Sequence, residues 1–549
     1  MTSLLLSLRS YTSFLSCCIL LIALYTGIHS TKSYAEVIIN DEGANKLQSA
    51  FQNTLDSYAL AFNSPESKLV YDGDIAVEKA SGYYAITTPH ISLLSQTGEK
   101  LEIGIFAINA IPADKPGRWT ISYSVPTPIT FFDAGGELTS RIDIGSQKAS
   151  GLWLEDINYF IKIDALYKDV KIESTSKDIS ENFSITLPEI LLQCNLKELS
   201  EGKWSGPYAY GLKKLQAKNE DGLNLSIDNV EVSGTIKEFD TKAYKEVLEE
   251  IEAFAENMSE EDIENMNTEN AVAFGNTMIR GWKSYGSGMT SQATVENVSF
   301  QAPMIKETED KPVNINIGSM GFGFDMVNLQ TDSGKLAFRM GFDSFNLKDV
   351  IETYNALTPE AMNLDLQVKN IPFVKLIELG KKTLQSTMKD PATSNMAGLQ
   401  AMMTAPVILT ESETHLAIND THVGNKKYKI TLEGKVTPNA QAVKGITADI
   451  LGKVRGLNFV KNALTQQVSN EESSEEEKQK AQQSLFMLGM IEALGKEATD
   501  DDNTPVRTFH LVVNEQGQML LNDNDMSALL GGAIMGGGTS VETHPDKGQ

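Results

Sequence analysis

From Lys100 to Ile105 the chain reads Lys-Leu-Glu-Ile-Gly-Ile, with Leu101, Ile103 and Ile105 on one parity and Lys100, Glu102 and Gly104 on the other. The same period of two returns at Leu223/Leu225/Ile227, Val313/Ile315/Ile317, Leu364/Leu366/Val368, Tyr428/Ile430/Leu432 and Phe509/Leu511/Val513. The residues between are mostly polar. Successive side chains of a strand point to opposite faces, so this rhythm predicts strands with one face in a core and the other in water. Antiparallel sheets tolerate a wet face, whereas parallel sheets covered on both sides read as unbroken apolar runs. The expected fold is α+β and β-dominated, with extended, curved antiparallel sheets and inserted amphipathic helical hairpins. Asp72-Gly73, Gly98 and Asp221-Gly222 supply turn chemistry beside these runs.

Three stretches depart from period two. Asn45 to Leu60 carries Leu47, Phe51, Leu55 and Leu60 at near-helical spacing. Between Thr241 and Tyr285, Val247, Ile251, Phe254 and Met258 mark one helix, and a second is expected near Asn270 to Lys283. Asn458 to Lys496 holds another pair around the acidic run Asn470 to Gln479, an exposed connection or helix start. A closing strand at Phe509 to Val513 leads through Glu515-Gln516-Gly517 to Met519–Leu521, then to a short helix capped by Asp525.

The expected organisation is a signal peptide (1–35), a β-rich domain with an early helix (36–240) and a helical hairpin (241–290). A second antiparallel region (291–457), an acidic helical pair (458–500), closing strands with a short helix (501–530) and a flexible glycine-rich tail (531–549) follow. Each half offers alternating strands and then an acidic helical pair, which raises internal duplication as a hypothesis. Gly-x-Trp occurs at Gly117-Arg118-Trp119, Gly151-Leu152-Trp153 and Gly202-Lys203-Trp204, with Gly281-Trp282 a looser variant. Trp packing at strand ends explains this spelling better than a repeated ligand platform.

The chain has 549 residues, with 47 Lys+Arg against 73 Asp+Glu, a net charge of −26. Such a balance repels phosphate backbones and anionic headgroups, which argues against nucleic-acid binding and against electrostatic membrane docking. Arg9, the apolar stretch from Phe14 to Ile28, and Ser33-Tyr34-Ala35 form a secretory signal pattern with cleavage after Ala35. An uncleaved inner-membrane anchor over 14–28 is the alternative. Cys17 and Cys18 lie inside the apolar run, which disfavours lipoprotein acylation. Removal of the leader leaves Cys194 as the single thiol, so stability rests on core size and not on disulfides. An exported chain of this kind suits a bacterial periplasm.

The chemistry-bearing residues are sparse. His415 and His422 flank Asn419-Asp420, an expected hairpin tip, with Glu411 and Glu413 upstream. The spacing matches no metal motif, and two wet-face histidines are the simpler expectation. His510 reads likewise. Gly286-Ser287-Gly288 lacks the first glycine of a nucleophile elbow, because Tyr285 stands there. Cys194 reads as strand filling. Gly318-Ser319-Met320-Gly321-Phe322-Gly323 lacks the Lys-Ser/Thr of a phosphate loop and reads as a bulge or strand crossing. Asn522 to Asp525 lacks the glycine and terminal Glu of a calcium loop. Glu260-Glu261-Asp262 with Glu264 reads as a solvated helix face. No catalytic, cofactor or metal residue is expected.

The leader, the long alternating strands, Gly434-Lys435-Val436-Thr437 ahead of Val454 to Leu457, and the closing Phe509 to Leu521 together resemble the YdgA-type envelope proteins of Gram-negative bacteria. The likeness is best in the last quarter of the chain. It implies envelope location and β architecture, without a catalytic signature; the glycine-rich C-terminus departs from the pattern. The favoured functional expectation is a non-catalytic periplasmic scaffold or binder of an apolar or lipid ligand in a β groove. The alternative is a secreted hydrolase with two carboxylates ~5–10 Å apart in a cleft.

Overall fold

A computed structural model describes residues 39–62, 67–174, 182–257, 268–303, 313–348, 356–389, 394–471, 473–500 and 503–527. The predicted leader with Ala35, the alternative anchor over 14–28, the run Glu260–Glu264 and the tail 531–549 lie outside these residues. Among the described residues there are 26 strands and seven α-helices, and the β-dominated, antiparallel expectation holds. The chain divides into two units, Met1–Gly323 with Asn346–Asp349, and Phe324–Phe345 with Val350–Gln549.

The first unit begins with α1 (Asp41–Ala61), whose Ala44, Leu47, Phe51 and Leu55 fall on one face and are buried. Asp41 and Glu42 in its first turn complement the positive end of the helix dipole. Leu47 packs with Ile86, Leu101, Ile108, Ile121 and Tyr167 in the main core. Short antiparallel strands build that core in two branches. One pairs Ser67–Asp72, His90–Ser95, Lys100–Gly104 and Ile129–Phe132 in series; the other pairs Ala76–Ala80, Tyr83–Thr87, Ala107–Pro112 and Arg118–Ser124. Both join the 17-residue strand Leu138–Leu154. From there Tyr159–Ser174, Phe183–Asn195, Lys203–Asn219, Asn224–Asp240 and Gly288–Ala302 add antiparallel, each beside the last. A helical pair, α2 (Thr241–Asn257) and α3 (Thr268–Ser284), is inserted before the last of these strands. It matches the predicted hairpin, with Val247 buried and Arg280 paired to Glu250.

The opening hexapeptide obeys its alternation for only two of three positions. Leu101 and Ile103 are buried, but Ile105 is 51% exposed and Phe106 takes the core position. Gly104 adopts φ +102°, a left-handed conformation that ends the strand and reverses the phase. The Gly-x-Trp stretches behave as packing motifs: Trp119, Trp153 and Trp204 are all buried, and Trp119 is the register partner of Trp153. Gly117 and Gly202 make turns at positive φ, whereas Gly151 lies within a strand.

Arg118 clasps Glu198 with both guanidinium arms, at 3.0 and 2.7 Å, and its guanidinium carbon lies 4.9 Å from the Trp204 ring centroid. The hydrogen bond from Arg118 holds the Glu198 carboxyl down at about 2. A carboxyl whose folded value is depressed stabilises the fold above its unfolded value near 4.3 and loses that contribution as the pH falls toward about 2. Acid titration of thermal stability should therefore show Glu198→Gln less stable than wild type at neutral pH, with the two curves converging below pH ~3. Parallel curves down to that pH would show that the pair contributes nothing.

The second unit pairs Gly334–Asp343, Ala361–Ile371, His415–Gly424, Lys429–Pro438, Ile446–Arg455 and Pro505–Val513 in series, each antiparallel to its neighbour. Its buried cluster is small, with Ala448, Val513 and Met519 at the centre. The region 291–457, read as antiparallel β throughout, also contains a helical pair, α4 (Phe373–Lys389) and α5 (Ser394–Glu411). The period-two reading passed over it although α4 has a clear amphipathic helical period; only α5, largely apolar and holding Pro406, has a faint one. The predicted acidic pair is α6 (Leu457–Ser469) and α7 (Glu475–Leu494). Within the run Asn470–Gln479, Ser474 caps α7 through a reciprocal capping box with Glu477. The second unit thus carries two helical pairs where the first carries one, so the element orders of the halves differ. At the end, Asn522 and Asp523 both take positive φ and turn Met519–Leu521 back onto Asn524–Asp525. Asp525 accepts from the Ser527 amide at 2.9 Å, and the predicted helix is described only at its first residue, Ser527.

Candidate functional site

The five strands from Tyr159 to Ala302 in the first unit place apolar residues in cross-strand rows. Tyr167, Ile190, Leu212, Val230 and Val295 are successive register partners. So are Ala165, Leu192, Tyr210, Val232 and Ala293, and so are Ile172, Ile185, Ala217, Leu225 and Phe300. The opposite face is polar, with Lys213 bonded to Glu189 at 2.6 Å and Asn229 to Glu296 at 3.3 Å. At ~3.3 Å per residue the rows from Ile163 to Ile172 span ~30 Å.

Keeping one apolar face over that length requires a phase change in every strand. The pairing runs Lys168↔Glu189 and then Val170↔Leu187, Lys213↔Asn229 and then Leu215↔Ile227, and Asn229↔Glu296 and then Ile227↔Val298. Asp169, Lys214 and Asn297 at these skips adopt φ of 55°, 56° and 52°. The register is the same on both sides of each skip, so these left-handed residues reverse the phase without inserting a residue, and they cross the sheet at one level. Leu212 and Leu215 consequently lie on the same face although their spacing is odd.

Along this face burial fades. Tyr167 and Ala165 are in the main core, and Ile190 and Leu192 pack against it. Leu212, Leu215, Val230, Val295 and Val298 on the last three of these five strands are only half-buried, and Tyr210 is 36% exposed. One end is closed by aromatic residues: Phe239 stacks with Tyr159 and Tyr244 at ring distances of 5.8 and 5.3 Å. Tyr208 donates to the Thr290 carbonyl at 3.2 Å across Gly234, where any side chain would collide with that carbonyl and the phenol. Burial, together with the Cys194 and Tyr208 groups nearby, pushes the Tyr210 phenol up to about 12, so it stays neutral.

At the α1 end, Ile163 and Tyr210 of this face line a pocket of about 110 Å³ with Phe51, Tyr58, Ile121 and Trp153. Thr54, Trp153 and Asn158 are shared with a larger polar cleft of about 570 Å³, lined also by Asn45, Ser49, Asn53 and Glu155. Glu155 accepts from Trp119 Nε1 at 2.9 Å and pairs with Lys46 at 3.1 Å. Trp153 Nε1 donates to Asn158 at 3.1 Å. The arrangement can hold an amphiphile, with hydrocarbon along the half-buried rows and a polar end among the α1 amides and hydroxyls.

The predicted chemistry-bearing residues fall elsewhere. Asn419-Asp420 is a bulge inside the continuous strand His415–Gly424, with Asp420 at φ 34°, and not a hairpin tip. Asn and Asp tolerate the left-handed region, which makes the same dipeptide suit either role. His415 and His422 therefore stand ~20 Å apart along one strand. Among the described residues no group of three His, Cys, Asp or Glu is placed to hold a metal. His510 bonds Asp449 at 2.8 Å on an exposed strand face. Gly318–Gly323 stays within the strand Val313–Val327. The cleft at α1 has Trp153 and one lining carboxylate, Glu155, rather than the pair a glycosidase uses.

Cys194 is buried in the row with Tyr208, and burial pushes its thiol up to about 11. Native protein should therefore resist maleimide at neutral pH for hours and label promptly in denaturant. Prompt labelling of the native protein, read by intact mass, would show that this end of the face opens to water. Sequence reasoning missed the rows because each strand changes phase midway. The signal that was available is the apolar parity of Tyr208/Tyr210/Leu212 switching at Lys213-Lys214 to Leu215/Ala217. In comparisons with known proteins, no family model, curated protein or solved structure matches the chain.

Proposed function

We propose that the chain is an exported, non-catalytic envelope protein that binds an apolar or lipid ligand on the half-buried face of its long antiparallel strands. One observation carries this reading: three register-aligned apolar rows continue past the main core onto strands where Leu212, Val230 and Val295 are left half-buried. Apolar surface is driven out of water at ~25 cal/mol per Å², so such a face has a standing affinity for hydrocarbon. The adjoining polar cleft favours ligands with a hydrophilic end. Export follows from the leader pattern ending at Ala35. The resemblance to YdgA-type envelope proteins agrees with that location.

The experiment is organic extraction of the purified protein followed by mass spectrometry. A lipid recovered in a stoichiometric amount is the expected result. Recovery of bare protein, with no uptake on incubation with phospholipid vesicles, overturns the reading.

A further inference from the structure

We propose that the hairpin of α4 and α5 docks the protein on the interfacial layer of an anionic phospholipid bilayer; this rests on the apolar-ligand reading, since a bilayer is the source of such a ligand. Between Ser394 and Thr410, α5 carries no charged residue. Met396, Leu399, Met403 and Val407 lie at i, i+3, i+7 and i+11, on one stripe, and Met402 borders it. Their exposures are extreme for apolar side chains, reaching 75% at Met402 and 72% at Met396. Methionine is flexible and polarisable, suited to disordered acyl chains.

The partner helix supplies the charge. α4 packs against α5 and contains Lys375, Lys381, Lys382 and Lys389 against a single acid, Glu378, in a chain whose net charge is −26. Lys375 and Lys382 are exposed. Lysine stems lie along apolar surface while the ammonium reaches a headgroup, and each basic residue near an anionic leaflet adds attraction. Both helices lack Trp, Tyr and Arg, the residues that dominate protein–protein hot spots, which favours a lipid surface over a protein partner. The acidity of the whole chain opposes membrane approach, so a local reversal of sign beside an exposed apolar stripe selects the face that makes contact.

The test is flotation of the full chain with vesicles of phosphatidylcholine containing about one-third phosphatidylglycerol, compared with phosphatidylcholine alone. Wild type should float with the anionic vesicles and lose much of that association in 1 M salt, where the screening length is ~3 Å. The double variant Met402→Asp/Met403→Asp should reduce the bound fraction at least tenfold. Lys381→Glu/Lys382→Glu should abolish the preference for anionic vesicles. Circular dichroism and retained extractable ligand confirm that each variant is folded. Undiminished flotation of the methionine variant overturns the proposal, as does failure of wild type to float. Conversion of a wild-type dimer to a monomer by Met402→Asp/Met403→Asp in the absence of vesicles would assign the stripe to a second copy of the chain and overturn it equally. Loss of flotation with ligand retained separates docking from ligand binding; flotation without any extractable ligand would end the ligand reading and leave docking standing.

Discussion

Leu212→Asp combined with Val295→Asp is expected to cut the extractable apolar ligand more than tenfold while the protein keeps its secondary structure. The two side chains lie in one cross-strand row, separated by Val230, and both are half-buried. Both positions keep contact with water in the free protein, so a carboxylate there costs folding less than one in the sealed core. Hydrocarbon laid over it must either strip that hydration or leave a gap. Each methylene removed from water contributes ~0.8 kcal/mol, and stripping a charge costs several times that. Loss of two or three methylene contacts alone exceeds the ~1.4 kcal/mol that separates a tenfold change. Gln216→Asp, on the exposed opposite face, is the matched control and should retain ligand. Equal ligand recovery from both variants would place the binding surface elsewhere in the molecule.

Trp153→Ala is expected to destabilise the first unit by ~3–5 kcal/mol in urea unfolding, the usual cost of emptying a large aromatic site. Trp153 is 3% exposed, stacks on Phe51 of α1 at 5.2 Å between ring centroids, and donates to Asn158. Its removal detaches α1 from the strand Leu138–Leu154, to which both branches of short strands are attached. The same substitution merges the small apolar pocket with the polar cleft, since Trp153 lines both. A loss below ~1 kcal/mol would mean that the pocket collapses freely and that α1 is not anchored there.

The candidate site was only partly legible from residues. Leu223/Leu225/Ile227 shows one segment of a strand whose apolar face continues, in the opposite phase, through Val230 and Val232. A period-two reading tracks parity, and a single left-handed residue such as Lys214 or Asn297 reverses it without shifting the register. Nothing local marks Lys214 as left-handed, because lysine has no preference for that conformation. The three Gly-x-Trp stretches were legible as packing, but the shared wall that Trp153 makes between pocket and cleft depends on α1, about a hundred residues away in sequence. Asn419-Asp420 illustrates the converse error, in which a turn-prone dipeptide serves as a bulge because the residues flanking it pair with strands on both sides.

The sequence by itself determined the antiparallel, one-side-wet strands, α1, the helical pairs at 241–285 and 458–496 and the absence of a recognisable catalytic motif, because those follow from periodicity and residue type within a few neighbours. Of the pair α4 and α5, only α5 escaped it for the same reason, since it has little period to read; the helical period of α4 was present in the sequence and was passed over. Only the tertiary structure decided which strands pair, that their phase changes coincide at one level of the sheet, and where the apolar rows pass from buried to half-buried. Registry and burial are sums over contacts between residues far apart in the chain, and no local pattern contains them.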